Sequence, residues 1–565
     1  MIDNIINRIA GNKKTHFWLF FAILVFLTVA MMFCYQPLCP GQDFFFHFRR
    51  FQALMDGLKE SPFLIYLDYT AIDGYGYFAK AFYPDVILIP FAIIGNLTNA
   101  EFGYLSMIFV MTVLCGVFTY ITINKIFRSP FAAAMGAILF TFCVYRLLDI
   151  YHRTALGEAL SFTFIPLVFW GLHEIISGNY KKWYILAIGY ALLIFTHVIS
   201  TVLMFFTMLI LLVIYYKPLI KEPKRILYLI IAGVAALIMA CYYLLPMFEQ
   251  MASDTFYYNG RNMMAKAGDM TLDFHWILWG MFTGIIHPKQ LFIPGTGLLL
   301  TCVIALRIFV AGKSPQLKYA DVGVVIGLIF LLMCSPVIPW SVFPFTLLDF
   351  IQMPWRLYEF SSFFFAVAGG YYLSLLVKSN KRALVCGGMV VMATLLVLVN
   401  DGKLYKDVRC SNSIESTDNN IPLPPNGYHM GGLEYLPASV PSPDFFVERS
   451  MVVLHKHPKT GITSLKREGN ATTFDLDIIE PDILELPLVY YKGYKVTIDG
   501  KEASIKESPN GLIEMKADRP GKVEAYYSGT PLQVISWLIS ITSILALCIY
   551  IYISNRKTKN TLTEK

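Results

Sequence analysis

Apolar residues run in long stretches along this chain, and polar residues gather in short breaks between them. Stretches near 17–35, 102–123, 131–148, 159–176, 183–198, 199–216, 226–246, 293–311, 320–335, 357–377, 383–400 and 532–553 approach or reach the length that crosses a bilayer as helix. They predict about twelve transmembrane helices. The first carries no small-residue cleavage site and reads as a retained helix, not a removed signal. Ala81 to Leu97 is also apolar but is broken by Pro84 and Pro90, and it reads as a re-entrant piece of an outer loop.

The pattern changes twice. After the first span comes Pro40-Gly-Gln-Asp43-Phe-Phe-Phe-His47-Phe-Arg-Arg50-Phe51. As a helix starting at Asp43, it puts Phe44, Phe48, Phe51, Met55 and Leu58 on one face, a stripe suited to the membrane interface. Asp43, His47 and Arg50 share the adjacent edge. Asp43 suits a helix N-cap, and it suits a catalytic carboxylate equally well. Near the C-terminus the period shortens to two: Tyr494–Ile498, Ala503–Glu507, Leu512–Ala517 and Val523–Tyr527 alternate, and Leu488–Tyr491 is a short apolar run. Asp499-Gly500, Pro509-Asn510-Gly511 and Pro520-Gly521 supply turns between them. With Ser450–Leu454 and Thr472–Ile478 these segments predict a β-rich domain over 401–530, preceded by a linker or covering loop at Ser411–Pro443. The expected division is a transmembrane core over 1–400 with a first outer loop at 36–100, the β-rich domain, and a last helix with a basic tail over 531–565.

Composition supports the membrane reading. The chain is 56% hydrophobic and 15% charged with mean hydropathy +0.56, whereas soluble domains carry nearer a quarter charged residues. The net charge of +7 is accounted for by basic cytoplasmic loops and does not call for a nucleic-acid partner. Arg8, Lys13 and Lys14 place the N-terminus inside and Asp43 outside. With Ala81–Leu97 re-entrant, Lys125/Arg128, Lys181/Lys182, Lys217 to Arg225, Lys313/Lys318, Lys378 to Arg382 and Arg556 to Lys559 all fall inside in turn. Both termini are then cytoplasmic in a plasma membrane, and the β-rich domain is extracytoplasmic. Most of the ten cysteines sit in apolar runs, Cys410 stands alone in the long polar region, and no His/Cys cluster has zinc spacing.

Charged and polar groups costly at membrane depth gather on the expected outer side. Asp149, His152, Arg153 and Glu158 bracket the turn between the third and fourth spans. His197 interrupts an apolar run, and Arg356 ends Gln352-Met-Pro-Trp-Arg356 at a helix start. Each has a plain structural reading: a wet loop, a satisfied histidine, an interfacial anchor. Together, an outward carboxylate, several arginines and a membrane groove suit transfer of a sugar from a lipid-linked phosphate. Cations hold the phosphate while a carboxylate takes the proton of the attacking hydroxyl. The cytoplasmic loops are too short for a nucleotide-binding module.

Gly41-Gln-Asp43-Phe-Phe-Phe-His47-Phe-Arg-Arg50 resembles the opening motif of bacterial membrane proteins labelled 6-pyruvoyl-tetrahydropterin synthase-related, as do Arg153-Thr-Ala-Leu-Gly-Glu158, Thr196-His197 and Gln352-Met-Pro-Trp-Arg356. Tyr490-Tyr-Lys-Gly-Tyr-Lys-Val-Thr-Ile-Asp-Gly-Lys501 is similar to YfhO-type proteins. The likeness covers essentially the whole chain and implies the GT-C superfamily of polyprenol-dependent glycosyltransferases. It implies a GT-C transmembrane core, with Asp43 at the catalytic acid position and Asp149 or Glu158 near the second acidic position that some members use for metal or acceptor. Arg153, Arg356 and Arg50 are then phosphate clamps, and His47, His152, Glu158 and His197 contact donor or acceptor. The expected partners are the bilayer, a polyprenyl-phosphate-linked sugar and a surface polymer or glycolipid acceptor. A divalent metal is the one cofactor the resemblance admits, and no acidic pair adjoins Asp43 to hold it. The alternatives are a transporter or flippase of envelope precursors, and a non-catalytic scaffold that keeps the GT-C shell.

Overall fold

The computed structural model describes residues 13–61, 63–260, 265–285, 293–410, 434–442 and 444–563. Arg8 and most of the expected linker Ser411–Pro443 lie outside the described residues. The helices used below are α1 (Lys13–Cys34), α2 (Phe44–Glu60), α3 (Ala100–Phe127), α4 (Pro130–Thr141), α5 (Leu156–Ser161), α6 (Ile165–Ile176), α7 (Val198–Ile214), α8 (Pro315–Met333), α9 (Tyr358–Leu376), α10 (Asn380–Tyr405) and α11 (Pro531–Thr563).

The chain is membrane-embedded by its helices. Among the described residues six are long and apolar enough to cross, at Lys14–Cys34, Ala100–Phe127, Pro130–His152, Pro315–Met333, Asn380–Cys410 and Pro531–Arg556. Counting Lys224–Met239 with Cys241–Ser253 as one broken span makes seven. All seven coincide with predicted stretches. The stretches at 159–176, 183–198, 199–216 and 293–311 hold shorter apolar helices instead, for local reasons. Pro166 starts α6 afresh, and His197 stops one helix and caps the next. Ala81–Leu97 contains a short apolar helix at Val86–Leu97, a 3-10 turn leading into nine α-helical residues from Ile89, too short to cross alone.

Two compact units are present, and they divide the chain discontinuously: 1–44, 105–236 and 265–415 in the first, 45–104, 237–264 and 416–565 in the second. In the first unit, α4 and α9 form the buried centre. Every residue of α4 from Ala132 is buried, as are residues Tyr358 to Leu373 of α9. They approach closely because both offer glycine: a Cβ on Gly370 would stand 2.6 Å from the Gly136 nitrogen. Phe363 of α9 stacks on Phe169 of α6 at 4.4 Å. A π-turn at Leu148–His152 then ends the long third helix, Thr154 takes a positive φ of 57°, and α5 follows at once.

The second unit contains the β-rich region as two antiparallel sheets. Its strands are β1 (Leu454–His455), β2 (Gly461–Glu468), β3 (Ala471–Asp477), β4 (Asp482–Val489), β5 (Tyr494–Ile498), β6 (Lys501–Glu502), β7 (Ile505–Glu507), β8 (Leu512–Ala517) and β9 (Gly521–Tyr527). The sheet orders are β1-β4-β8-β7 and β2-β3-β9-β5-β6. Inward residues such as Leu484, Leu486, Val496, Met515 and Val523 are fully buried. The expected first outer loop belongs to this unit from Phe45 onward, while its start, with Asp43, belongs to the first. The Val489 amide donates to the Tyr75 carbonyl at 2.9 Å, and Phe82 stacks on Tyr435 at 4.3 Å. Helix α2 also departs from expectation. Phe44, Phe48 and Phe51 are buried in protein, the latter two against Tyr104 at 5.6 and 5.9 Å, so the stripe is a packing face and not a membrane-facing one.

Candidate active site

The candidate site lies in the first unit and draws on four separated segments. The loop after α1 brings Asp43. Its amide donates to the Arg153 carbonyl at 2.8 Å, and the Gln42 amide to the His152 carbonyl at 3.4 Å, so two backbone bonds set Asp43 against the π-turn. Gly41 is required there, because a Cβ would fall 1.9 Å from the Thr154 hydroxyl oxygen.

Around Asp43 the charges interlock. Arg153 Nη1 donates to Asp149 Oδ1 at 2.6 Å and to Glu158 Oε2 at 3.0 Å. Arg356 Nε donates to the same Glu158 Oε2 at 3.2 Å, while its Nη1 holds the Ile351 carbonyl at 2.9 Å and Gln352 Oε1 at 3.1 Å. The Tyr145 hydroxyl donates to Glu158 Oε1. Burial by itself would push the Glu158 carboxyl up, but the two guanidiniums outweigh it and hold the group below the usual carboxylate range. Asp43 shows the opposite balance: burial raises its carboxyl above the ordinary value, Arg153 and Arg356 pull it part of the way back, and Glu158 pushes it up. Asp43 therefore shares its field with Arg153, Arg356 and Glu158, and is closer than an ordinary aspartate to exchanging a proton near neutrality.

A second chain of contacts runs behind. Glu359, fully buried on α9, accepts from the Ser161 hydroxyl and, at 2.8 Å, from the Ser200 hydroxyl. Ser200 Oγ also sits 2.8 Å from His197 Nδ1, and His197 acts electrostatically on Glu158. His152 belongs to a neighbouring buried set. Its Nε2 is 3.4 Å from Asp401 Oδ1, Asp401 accepts from the Tyr35 hydroxyl, and Arg409 donates to the His152 carbonyl. A disulfide, Cys39–Cys410, ties the loop bearing Asp43 to the end of α10, and the Cys39 carbonyl accepts from the Tyr405 hydroxyl at 3.1 Å.

Seven of the nine predicted site residues thus lie in the first unit. Asp43, Asp149, Arg153, Glu158, His197 and Arg356 share one network, and His152 sits behind it. His47 and Arg50 have their partners in the second unit. Arg50 Nη1 donates to the Pro84 carbonyl at 3.0 Å, its Nη2 lies 3.5 Å from His47 Nδ1, and its guanidinium covers the Tyr83 ring at 5.0 Å. Those bonds set Arg50 and His47 apart from the network around Asp43. Glu359, Tyr145 and Ser200 went unpredicted. A carboxylate three residues after Arg356, inside an apolar helix, carried the signal that would have found Glu359.

The donor set does not fit a divalent metal. Asp149 Oδ2 is buried and has no hydrogen-bond partner among the described residues, but the carboxylates near it are already matched by guanidiniums. No group of three His, Cys, Asp or Glu side chains among the described residues could hold an ion. Two guanidinium nitrogens are differently placed. Arg153 Nη2 meets only the Met353 sulfur, at 3.8 Å, and Arg356 Nη2 meets no acceptor among the described residues. The arrangement can bind an oxyanion through those nitrogens and move a proton at Asp43. No family model matches the chain, and no curated protein matches it.

Proposed function

We propose that the protein is a GT-C-type membrane glycosyltransferase that moves a sugar from a polyprenyl-phosphate donor to a surface polymer or glycolipid. The observation that carries this reading is Asp43, a half-buried carboxylate just past the first span, set by backbone bonds beside two arginines that each keep one nitrogen uncommitted. In the reaction the acceptor hydroxyl oxygen attacks the anomeric carbon and the bond from that carbon to the phosphate oxygen breaks. The electron pair leaves with the polyprenyl phosphate, whose charge Arg153 and Arg356 hold. The hydroxyl proton passes to Asp43. Glu158 orients both guanidiniums and keeps them from collapsing onto Asp43.

The reading rests on about twelve spans, counting the shorter apolar helices and α9, with both termini in the cytoplasm and the site on the outer face of the plasma membrane. The disulfide supports that side, since Cys39 and Cys410 both fall outside in the charge-derived topology and disulfides persist in oxidising compartments. The β-rich unit would meet the acceptor glycan. The test compares surface glycans of cells lacking the protein with cells restored by the wild type or by Asp43→Asn. A glycan lost on deletion should return with the wild type and stay absent with an Asp43→Asn protein that inserts normally. Full restoration by Asp43→Asn sinks the assignment, and an unchanged glycan profile on deletion favours the transporter or scaffold alternatives.

A further inference from the structure

The first unit has a cavity that none of the chemistry above uses. It measures about 110 Å³ and lies between the end of α3, α6, α7, α8 and α9, walled by Phe127, Phe169, His173, Tyr215, Tyr319 and Phe364. The lining is mostly ring and hydrocarbon, so the cavity favours an apolar guest over water. Tyr215 and Tyr319 meet edge to face at 5.3 Å, and Tyr319 meets His173 in the same way at 6.5 Å.

Three cations neighbour the lining residues in sequence. Arg128 follows Phe127 directly and acts electrostatically on His173. Lys318 precedes Tyr319, and Lys217 stands two residues after Tyr215. All three cations are exposed, and none has an ion pair among the described residues. Of the acids nearby, Asp321 is paired with a cation, and Glu174 meets neutral donors. Glu174 is buried and accepts from Trp170 Nε1 at 3.1 Å and from the Asn179 amide at 2.9 Å, and Asp321 is held by Arg307. All three cations stand at positions that the charge rule puts on the cytoplasmic side.

We infer that this cavity is a binding site for an anionic phospholipid of the cytoplasmic leaflet, with one acyl chain between Phe169 and Tyr319 and the phosphate at Arg128, Lys217 and Lys318. The apolar wall takes the chain, and the unpaired cations select the headgroup charge, each contributing about as much as a basic residue near an anionic leaflet. The inference does not depend on the glycosyl-transfer reading.

The test is native mass spectrometry of the delipidated full chain, titrated with phosphatidylglycerol or phosphatidylcholine. The wild type should hold phosphatidylglycerol more tightly. Arg128→Gln, Lys217→Gln and Lys318→Gln should each weaken it roughly fivefold, and together abolish the preference. Ser177→Trp, placed at the exposed mouth of the cavity, should weaken both lipids while leaving the fold intact. Equal binding of the two lipids by the wild type, full retention by the triple variant, or full retention by Ser177→Trp would each overturn the inference. So would glycerol phosphate competing as well as the lipid, since the cavity would then contribute nothing.

Discussion

Glu158→Gln keeps the shape of the side chain and removes the charge that two guanidiniums share. Glu158 is 1% exposed, with Oε2 3.0 Å from Arg153 Nη1 and 3.2 Å from Arg356 Nε. At an effective dielectric of about 20, each contact is worth about 5 kcal/mol of Coulomb attraction, much of it offset by desolvation. Removing the shared anion leaves Arg356 without its carboxylate partner and Arg153 with Asp149 alone, so the variant should lose about 3–5 kcal/mol of stability. Arg356→Gln should lose less, about 2 kcal/mol, because Arg153 still neutralises Glu158. In the double variant the losses should fall short of their sum by about 1–3 kcal/mol, since the second change removes a partner already gone. Equilibrium unfolding of the full chain in mixed micelles, read through alkylation of buried Cys115 and Cys143, measures all four corners of this cycle. Arg307→Gln, whose partners are the separate Asp321 and the Val310 carbonyl, is the additive control. Losses from Glu158 and Arg356 that add to within about 0.5 kcal/mol would refute the shared-anion account.

Because burial raises the Asp43 carboxyl and a base must be ionised, the transfer rate should rise with pH along a limb above the ordinary carboxylate range. The same raised value means that the Asp43 contribution to stability is full below its unfolded pKa and declines as pH climbs through the folded one. Asp43→Asn should flatten that part of a stability–pH curve, and an unchanged curve would contradict the placement. Cys39→Ser should leave the Cys410 thiol open to a membrane-impermeant maleimide on intact cells, where the wild type does not react; labelling only after lysis would invert the topology. Gly511→Ala forces a Cβ to 2.4 Å from Val440 Cγ2 at a φ of 73° and should cost the second unit about 1–3 kcal/mol, readable by limited proteolysis.

Much of the architecture is legible in the chain because hydropathy and charge act over whole segments. The six long helices and most β strands follow from period and turn residues alone, and Asp499-Gly500 and Gly511 sit where they were expected to reverse the chain, each with positive φ. Strand β2 was missed because its pattern is interrupted by the bulge between Thr463 and Lys466. The site was partly legible, since intramembrane charge is costly and so announces itself at Asp149, Arg153, Glu158 and Arg356. What periodicity could not show was the side on which the α2 phenylalanines find company, because a buried face and a lipid-facing one read alike. Nor could spacing reveal the Cys39–Cys410 pairing across the intervening chain.

That pairing imposes an order on how the molecule is made. Cys39 and Cys410 are 371 residues apart, so at roughly 5–20 residues per second Cys39 waits about 20–75 s for its partner to be synthesised. Within that interval Arg153 and Glu158 are made first and Arg356 only near its end, so the segment bearing Asp43 gains its charged neighbours before its covalent brace. Of the six thiols translated in between, Cys115, Cys143 and Cys334 are buried among the helices of the same unit, whereas Cys302 is exposed and Cys241 and Cys386 are half-buried. Locking of the site is therefore a late event in biogenesis, set by translation and by the oxidant outside the membrane.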